Sequence, residues 1–224
     1  MKCVQPGENE SFDIELEEDL LRQNQEIAEE NRRQLDIHGV IAVDILGAIG
    51  SGKTSIVQQL TKHLCDQYKI AAIAGDLTTS IDAERIQSYG AQVVQANTGK
   101  ECHLDANLVR KAMAELDLDN LDLLFIENVG NLICPGEFPV GAHQRMVVVS
   151  TTEGPYMIVK HPYILLECTT CTINKVDLAE SMEVDIEQLK LDALKVKPGI
   201  QVVYTNGRTG RGIPELIHAL SLAV

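Results

Sequence analysis

Three short stretches carry residues whose types and spacing could do chemistry. They are GAIGSGKT (47–54), the Cys102–His103 pair in GKECHLDA with Cys134 further on, and INKVD (173–177). GAIGSGKT fits G-x-x-x-x-G-K-S/T, a loop whose backbone amides cradle phosphate oxygens. Gly47, Gly50 and Gly52 let the chain approach a phosphate closely, and the start of the following helix adds a favourable field. Lys53 would reach the β- and γ-phosphates, and the Thr54 hydroxyl would sit on Mg2+. Two carboxylates end apolar runs: Asp76 after IAAIAG and Glu127 after LDLLFI. Acids beyond the carboxyl ends of parallel strands face the ligand crevice and can hold Mg2+ directly or through water. Glu127 also opens ENVG, which would bring the Gly130 backbone near the γ-phosphate. Asp44 and Asp122 are weaker candidates, and Asp44 lies inside an apolar strand with no evident partner for its charge.

Asn-Lys-x-Asp makes chemical sense against guanine. Its N1–H and 2-amino donors can both be accepted by one carboxylate, here Asp177. Adenine offers neither donor there, and a buried group left unpaired costs about 1–3 kcal/mol, enough to select GTP. Lys175 would lay its stem over the base, and Asn174 would tie the loops together. Cys102, His103 and Cys134 offer thiol and imidazole, which suit zinc, nickel or copper and serve Mg2+ poorly. Three such ligands are too few for a closed tetrahedral zinc site, so a set of three implies a site shared across a two-fold axis or one that releases its metal. Spacing alone leaves open a buried thiol beside a surface imidazole with no metal at all. CTTC (168–171) competes as a metal motif, but it reads as a helix end running into a strand, without the turn that would hold both thiols together.

These residues need a frame to hold them. Short apolar runs at 40–46, 70–75, 92–96, 121–127, 145–150, 170–174 and 201–206 read as strands. Amphipathic segments near 53–68, 81–89, 104–116, 156–168, 185–195 and 213–223 read as helices. Alternation of this kind, with nearly continuous apolar strands, predicts an α/β fold: a mainly parallel sheet covered by helices on both faces. Residues 1–38 differ: from Ile14 to Ile37 the chain is rich in Glu, Gln, Asn and Arg, with a thin apolar stripe at Leu16, Leu20, Ile27 and Leu35. They predict an N-terminal helical extension, packed on the flank of a domain over 39–224 or presented to a partner, and Gly39 would stop it.

Composition narrows the function further. The 224 residues carry 19 Lys and Arg against 33 Asp and Glu, a net charge of −14, which argues against a nucleic-acid partner. No apolar run is long enough to span a bilayer, and the first residues do not resemble a signal peptide, so the cytoplasm is the expected address. Six cysteines would stay reduced there, as core fillers or metal ligands.

Taken in order, these motifs resemble those of the hydrogenase maturation GTPases that assist nickel insertion, the HypB family. The likeness covers nearly the whole chain and rests on EIAEENRR, GAIGSGKTS, GDLTTSIDAERI, VVQANTGKECHLDA, LLFIENVGNLICP, VVVSTTEG, INKVDL and RTGRGI. It implies a P-loop GTPase fold, with GTP or GDP on Gly47 through Ser55, including Ser51, and Mg2+ near Thr54, Asp76 and Glu127. Lys53, Asp76 and Glu127 would then be catalytic. Guanine would lie against Asn174, Lys175 and Asp177, with Asn206-Gly207 standing where many GTPases read Ser-Ala. The resemblance makes Cys102, His103 and Cys134 a nickel or zinc site at the interface of a homodimer that depends on nucleotide, metal or both. It also implies a nickel-binding accessory protein and the hydrogenase large subunit as partners. The cysteine motif and histidine-rich tract that some members carry near the N-terminus are missing, with Cys3 alone there, so a storage role is not expected. No arginine finger is identifiable, which implies unassisted turnover as slow as ~10⁻³ s⁻¹. Competing readings are a urease-type nickel-delivery GTPase, a small-molecule kinase, and a metal-binding scaffold without coupled catalysis.

Overall fold

The computed structural model describes residues 11–76, 84, 86–88, 90–99 and 102–222, with the side chains of 11–17 and of Asp76 outside that description. Seven strands form one sheet: β1 (Ile41–Gly47), β2 (Ile70–Asp76), β3 (Gln92–Asn97), β4 (Leu123–Glu127), β5 (Gln144–Ser150), β6 (Thr170–Asn174) and β7 (Gln201–Tyr204). Every pairing is parallel, in the order β3-β2-β4-β1-β5-β6-β7. All seven expected strands are present. The helix expected over 81–89 lies largely outside the described residues.

Side chains alternate across the sheet, so each strand feeds both faces. Val43 and Ile45 of β1 join Phe125, Met146 and Val148 beneath α2 (Lys53–Leu64) and α8 (Ile213–Ala219) in one continuous apolar cluster. The opposite face carries two clusters. Ala42 belongs to one, with Leu124, Ile126 and residues of α3 (Ala106–Met113). Leu46 belongs to the other, with Val147, Ile173, and Leu189 of α7 (Ile186–Val196). Asp44 sits between Ala42 and Leu46 on that face and is fully buried. Each fully buried aliphatic or aromatic side chain contributes roughly 1.5–3 kcal/mol of transfer free energy, so the sheet is a stiff platform whose carboxyl ends can hold loops in place.

The segment 156–168 is not one helix. It divides into α5 (Met157–Lys160) and α6 (Tyr163–Leu166), because Pro162 supplies no N–H and pushes His161 out of helical geometry. A further short turn, α4 (Cys134–Glu137), follows β4 and packs against α6.

The N-terminal helix, α1 (Ser11–His38), buries Leu35 of the expected stripe and half-buries Ile27, but corrects the rest. Its buried positions are Asn24, Ala28, Asn31 and Leu35, while Leu20 is exposed and Leu16 lies outside the described side chains. The inner face is half amide, and the amides are satisfied by backbone. Asn24 donates to the Pro139 carbonyl and accepts from the Ala106 N–H, both at 2.8 Å. Asn31 donates to the carbonyls of Ala106 (2.8 Å) and Val140 (3.1 Å). Arg32 donates to the carbonyls of Gly141 and Ala142. The helix ends where Gly39 takes φ +69°, with Val40 N–H bonded to Leu35 O and Gly39 N–H to Asp36 O, the Schellman arrangement.

Candidate nucleotide and metal sites

The phosphate loop joins β1 to α2. Gly50 and Gly52 adopt φ of +75° and +101°, conformations that cost other residues strain, and Gly52 hands the chain directly into α2. Lys53 is buried over the loop, with Nζ 3.2 Å from Gly47 O and 3.1 Å from Ala48 O. Ser51 is also buried, and its Oγ has no hydrogen-bond partner in the protein. An orphaned hydroxyl inside a glycine-built cradle suits a ligand rich in acceptor oxygens. At the mouth, Thr54 Oγ1 donates to Glu127 Oε1 at 2.6 Å, joining the first turn of α2 to the end of β4. These are hard oxygen donors, the chemistry Mg2+ prefers. Asp76 ends β2, beside β4 in the sheet, but its side chain lies outside the described residues. Gly130 packs tightly on Ile49, so the ENVG backbone lies against the phosphate loop.

The NKVD loop is stitched to the same structure. Asn174 donates from Nδ2 to Ser51 O (2.9 Å) and accepts at Oδ1 from the Gly207 N–H (2.9 Å) and the Thr205 hydroxyl (3.3 Å). Lys175, at φ +59°, sends Nζ to Gly50 O (2.6 Å) and Thr152 Oγ1 (3.3 Å). Asn206 folds its own turn, accepting from the N–H groups of Arg208 and Thr209. Asp177 is exposed beyond this scaffold, where a base edge could meet it.

Glu153 is a neighbour that motif reading missed. Ser150 and Glu153 form a capping box, with Glu153 Oε1 accepting from the Ser150 N–H at 3.0 Å. Burial pushes the Glu153 carboxyl up to about 7, against the opposing pull of the Ser150 N–H and of Lys53 and Lys175. The spacing S-x-x-E in VVVSTTEG was the available signal.

Among the described residues, Cys102, His103 and Cys134 form the one group of three or more metal-type donors, all within 4.8 Å of one another. The sulfurs of Cys102 and Cys134 are 3.1 Å apart, and Cys102 Sγ is 3.9 Å from His103 Nδ1. Cys102 is exposed and the other two are half-buried, so the site opens to the surface. Burial first, and then the Cys102 thiol, push the Cys134 thiol up; a bound soft cation would reverse this by stabilising thiolate. The His103 ring lies against Phe138, with centroids 3.9 Å apart. Asn131 donates to the Cys102 carbonyl at 3.3 Å, so the loop that carries Cys134 also touches Cys102. Cys168 and Cys171 sit instead inside the apolar core. Cys168 donates to the Ile164 carbonyl (3.0 Å), and burial pushes both thiols up, Cys171 to about 12.

A parallel sheet of this order, with a phosphate loop after β1 and a base loop after β6, defines a P-loop nucleotide-binding protein. The family model described as "CobW/HypB/UreG, nucleotide-binding domain" matches residues 41–204. The chain belongs to this family and, within it, to the hydrogenase maturation factors called HypB. It is 48% identical over 211 residues to the probable hydrogenase maturation factor HypB of Methanocaldococcus jannaschii, a match covering 94% of this chain and 96% of that one. The crystal structure of HypB from Archaeoglobus fulgidus superposes with a TM-score of 0.83 at 40% identity, covering 89% of this chain and 98% of that one. That of HypB from Helicobacter pylori in complex with nickel gives a TM-score of 0.83 at 30% identity, covering 89% and 94%.

Proposed function

We propose that this chain hydrolyses GTP and uses the state of the bound nucleotide to govern its hold on nickel during maturation of a nickel–iron hydrogenase. The observation that carries this reading is one loop with two chemistries. It leaves β4 at Glu127, on the hard-oxygen cluster with Thr54, and reaches Cys134 in the soft-donor group seven residues later. The names of the relatives support the maturation role.

In this reading Lys53 and the backbone amides of residues 47–55 hold the β- and γ-phosphates and stabilise the charge that develops as the terminal phosphoryl leaves. Thr54, Asp76 and Glu127 would hold Mg2+, which would supply charge to neutralise the phosphates. Asn174 and Lys175 order the base loop, Asp177 accepts from the guanine edge, and Asn206-Gly207 close it. Nickel is the cargo of Cys102, His103 and Cys134. Their open, three-ligand arrangement supports completion by a second copy of the chain, and so a homodimer favoured by nucleotide and metal. A nickel-binding accessory protein and the hydrogenase large subunit are the corresponding donor and acceptor. We assign residues 1–38 to a helical extension and 39–224 to the nucleotide-binding domain. Among the described residues no helix is long and apolar enough to cross a membrane, in keeping with work in the cytoplasm.

Competition for Ni2+ against a chromogenic chelator, with GDP or a non-hydrolysable GTP analogue present, tests the reading. The two nickel affinities should differ by about tenfold. Equal affinities would show the nucleotide and metal to be uncoupled and would overturn it.

A further inference from the structure

We propose that Asn128, Asp44 and Arg145 form a buried relay through which the γ-phosphate-sensing loop sets the geometry of the metal ligands. The proposal rests on the nucleotide–nickel coupling of the preceding section and names the residues that carry it. All three lie on or just after neighbouring strands, β4, β1 and β5. Asp44 and Arg145 are direct partners in the β1–β5 register, 101 residues apart in sequence.

The relay begins at the nucleotide. Glu127 Oε1 accepts from Thr54, and the next residue, Asn128, is fully buried. Asn128 faces both halves of the metal site. Its Oδ1 accepts from the Leu104 N–H at 3.0 Å, the backbone immediately after Cys102 and His103. Its Nδ2 donates to Asp44 Oδ1 at 3.3 Å. The other carboxylate oxygen of Asp44 accepts from Arg145 Nε at 3.0 Å. Arg145 then spends its remaining nitrogens on backbone just past Cys134. Nη1 donates to Gly136 O (3.1 Å), and Nη2 donates to Pro135 O (2.6 Å) and Phe138 O (3.2 Å). Phe138 closes the circuit, because its ring lies on His103.

The Arg145 acceptors are what separate this from an ordinary buried ion pair. A pair kept only for stability needs two charges and any donors that satisfy them, and apolar replacements often do as well. Here three carbonyls within the four residues after Cys134 take one planar guanidinium, whose rigid fork fixes their relative positions. A shift of ENVG would move Asn128, and Asn128 holds the backbone just after Cys102 and His103 directly and the Cys134 turn through Asp44 and Arg145. Both soft-donor segments would therefore be re-aimed together. Asp44, Arg145 and Asn128 are positioning residues, since none is a metal donor in the group of three.

The same chelator competition decides the matter, run on Asn128→Ala and Arg145→Lys beside the wild-type chain. Asn128→Ala leaves the ion pair intact and so keeps the fold testable if Arg145→Lys is unstable. We expect the ratio of nickel affinities between the GDP and GTP-analogue states to fall from about tenfold to within about twofold of unity. Affinity in the GDP state should stay within about threefold of wild type. A purely structural role would instead weaken nickel in both states alike and keep the ratio, which overturns the relay. A wild-type ratio in both variants, with unchanged affinities, also overturns it while leaving the coupled GTPase standing. A ratio of unity in the wild-type chain overturns the coupling and the relay together.

Discussion

The candidate nucleotide site and the candidate metal site sit at two ends of one loop, yet they are built in opposite ways. Lys53, Thr54, Glu127 and Asn174 are buried at strand ends and helix starts, each fixed by hydrogen bonds to other parts of the same scaffold. Cys102, His103 and Cys134 are exposed or half-buried, and irregular chain or a one-turn helix carries them. Preorganised donors cost no rearrangement when a phosphate arrives, which suits binding and turnover. Donors that open to the surface suit an ion that must be let go. In the proposed reading the rigid, buried end is the reader and the open end is the carrier.

That division can be broken by experiment. Lys53→Ala should have the largest effect, lowering GTP turnover at least ~100-fold by steady-state phosphate release. The same variant should keep wild-type nickel stoichiometry, because no soft donor is touched, and lost nickel would show that the ends are not separable. Cys102→Ala should abolish stoichiometric nickel binding in equilibrium dialysis, since an unbridged His103 and Cys134 are too few ligands for a soft cation. GTP affinity in that variant should remain within about twofold of wild type. A tenfold loss of nucleotide affinity would place the cysteine inside the reader.

The smallest expected effect belongs to Glu153, in the rigid half. Its folded carboxyl titrates near 7 against an ordinary value of 4.5, so the folded chain binds the extra proton. Stability from this group is complete below about 4.5 and is lost as pH rises through about 7. Glu153→Gln should flatten that decline, reducing the pH 5 to pH 8 difference in melting temperature by several degrees. An unchanged slope would show that the carboxyl is ionised in the fold throughout.

Legibility in the sequence follows the same division. GAIGSGKT and INKVD are contiguous, and their chemistry demands adjacent residues, so both could be read directly. Strands were legible because apolar runs bounded by Gly, Asn and Asp have few other uses in a globular α/β domain. The metal group was not legible from spacing, since Cys134 meets Cys102 only once β4 and its loop are in place. Asp44 stood out as a charge in an apolar strand, but its partner is set by register across the sheet, which one strand alone does not reveal. The extension misled in part, since Leu35 of the expected stripe is buried while Leu20 is exposed. Its apolar residues mark one stripe, while the face that packs is keyed by amides whose acceptors are backbone carbonyls elsewhere.

Those amides have a mechanical consequence. A helix seated on interchangeable aliphatic side chains can slide by a turn and lose little, because one methyl group serves as well as another. Asn24 and Asn31 work like the teeth of a key, and a slip of one turn would bring Ala28 to a position where an amide is required. The helix therefore has one seat. Its grip on Ala106 and on Pro139–Val140 means that torque on α1 is delivered to the chain just beyond His103 and just beyond the Cys134 turn at the same time.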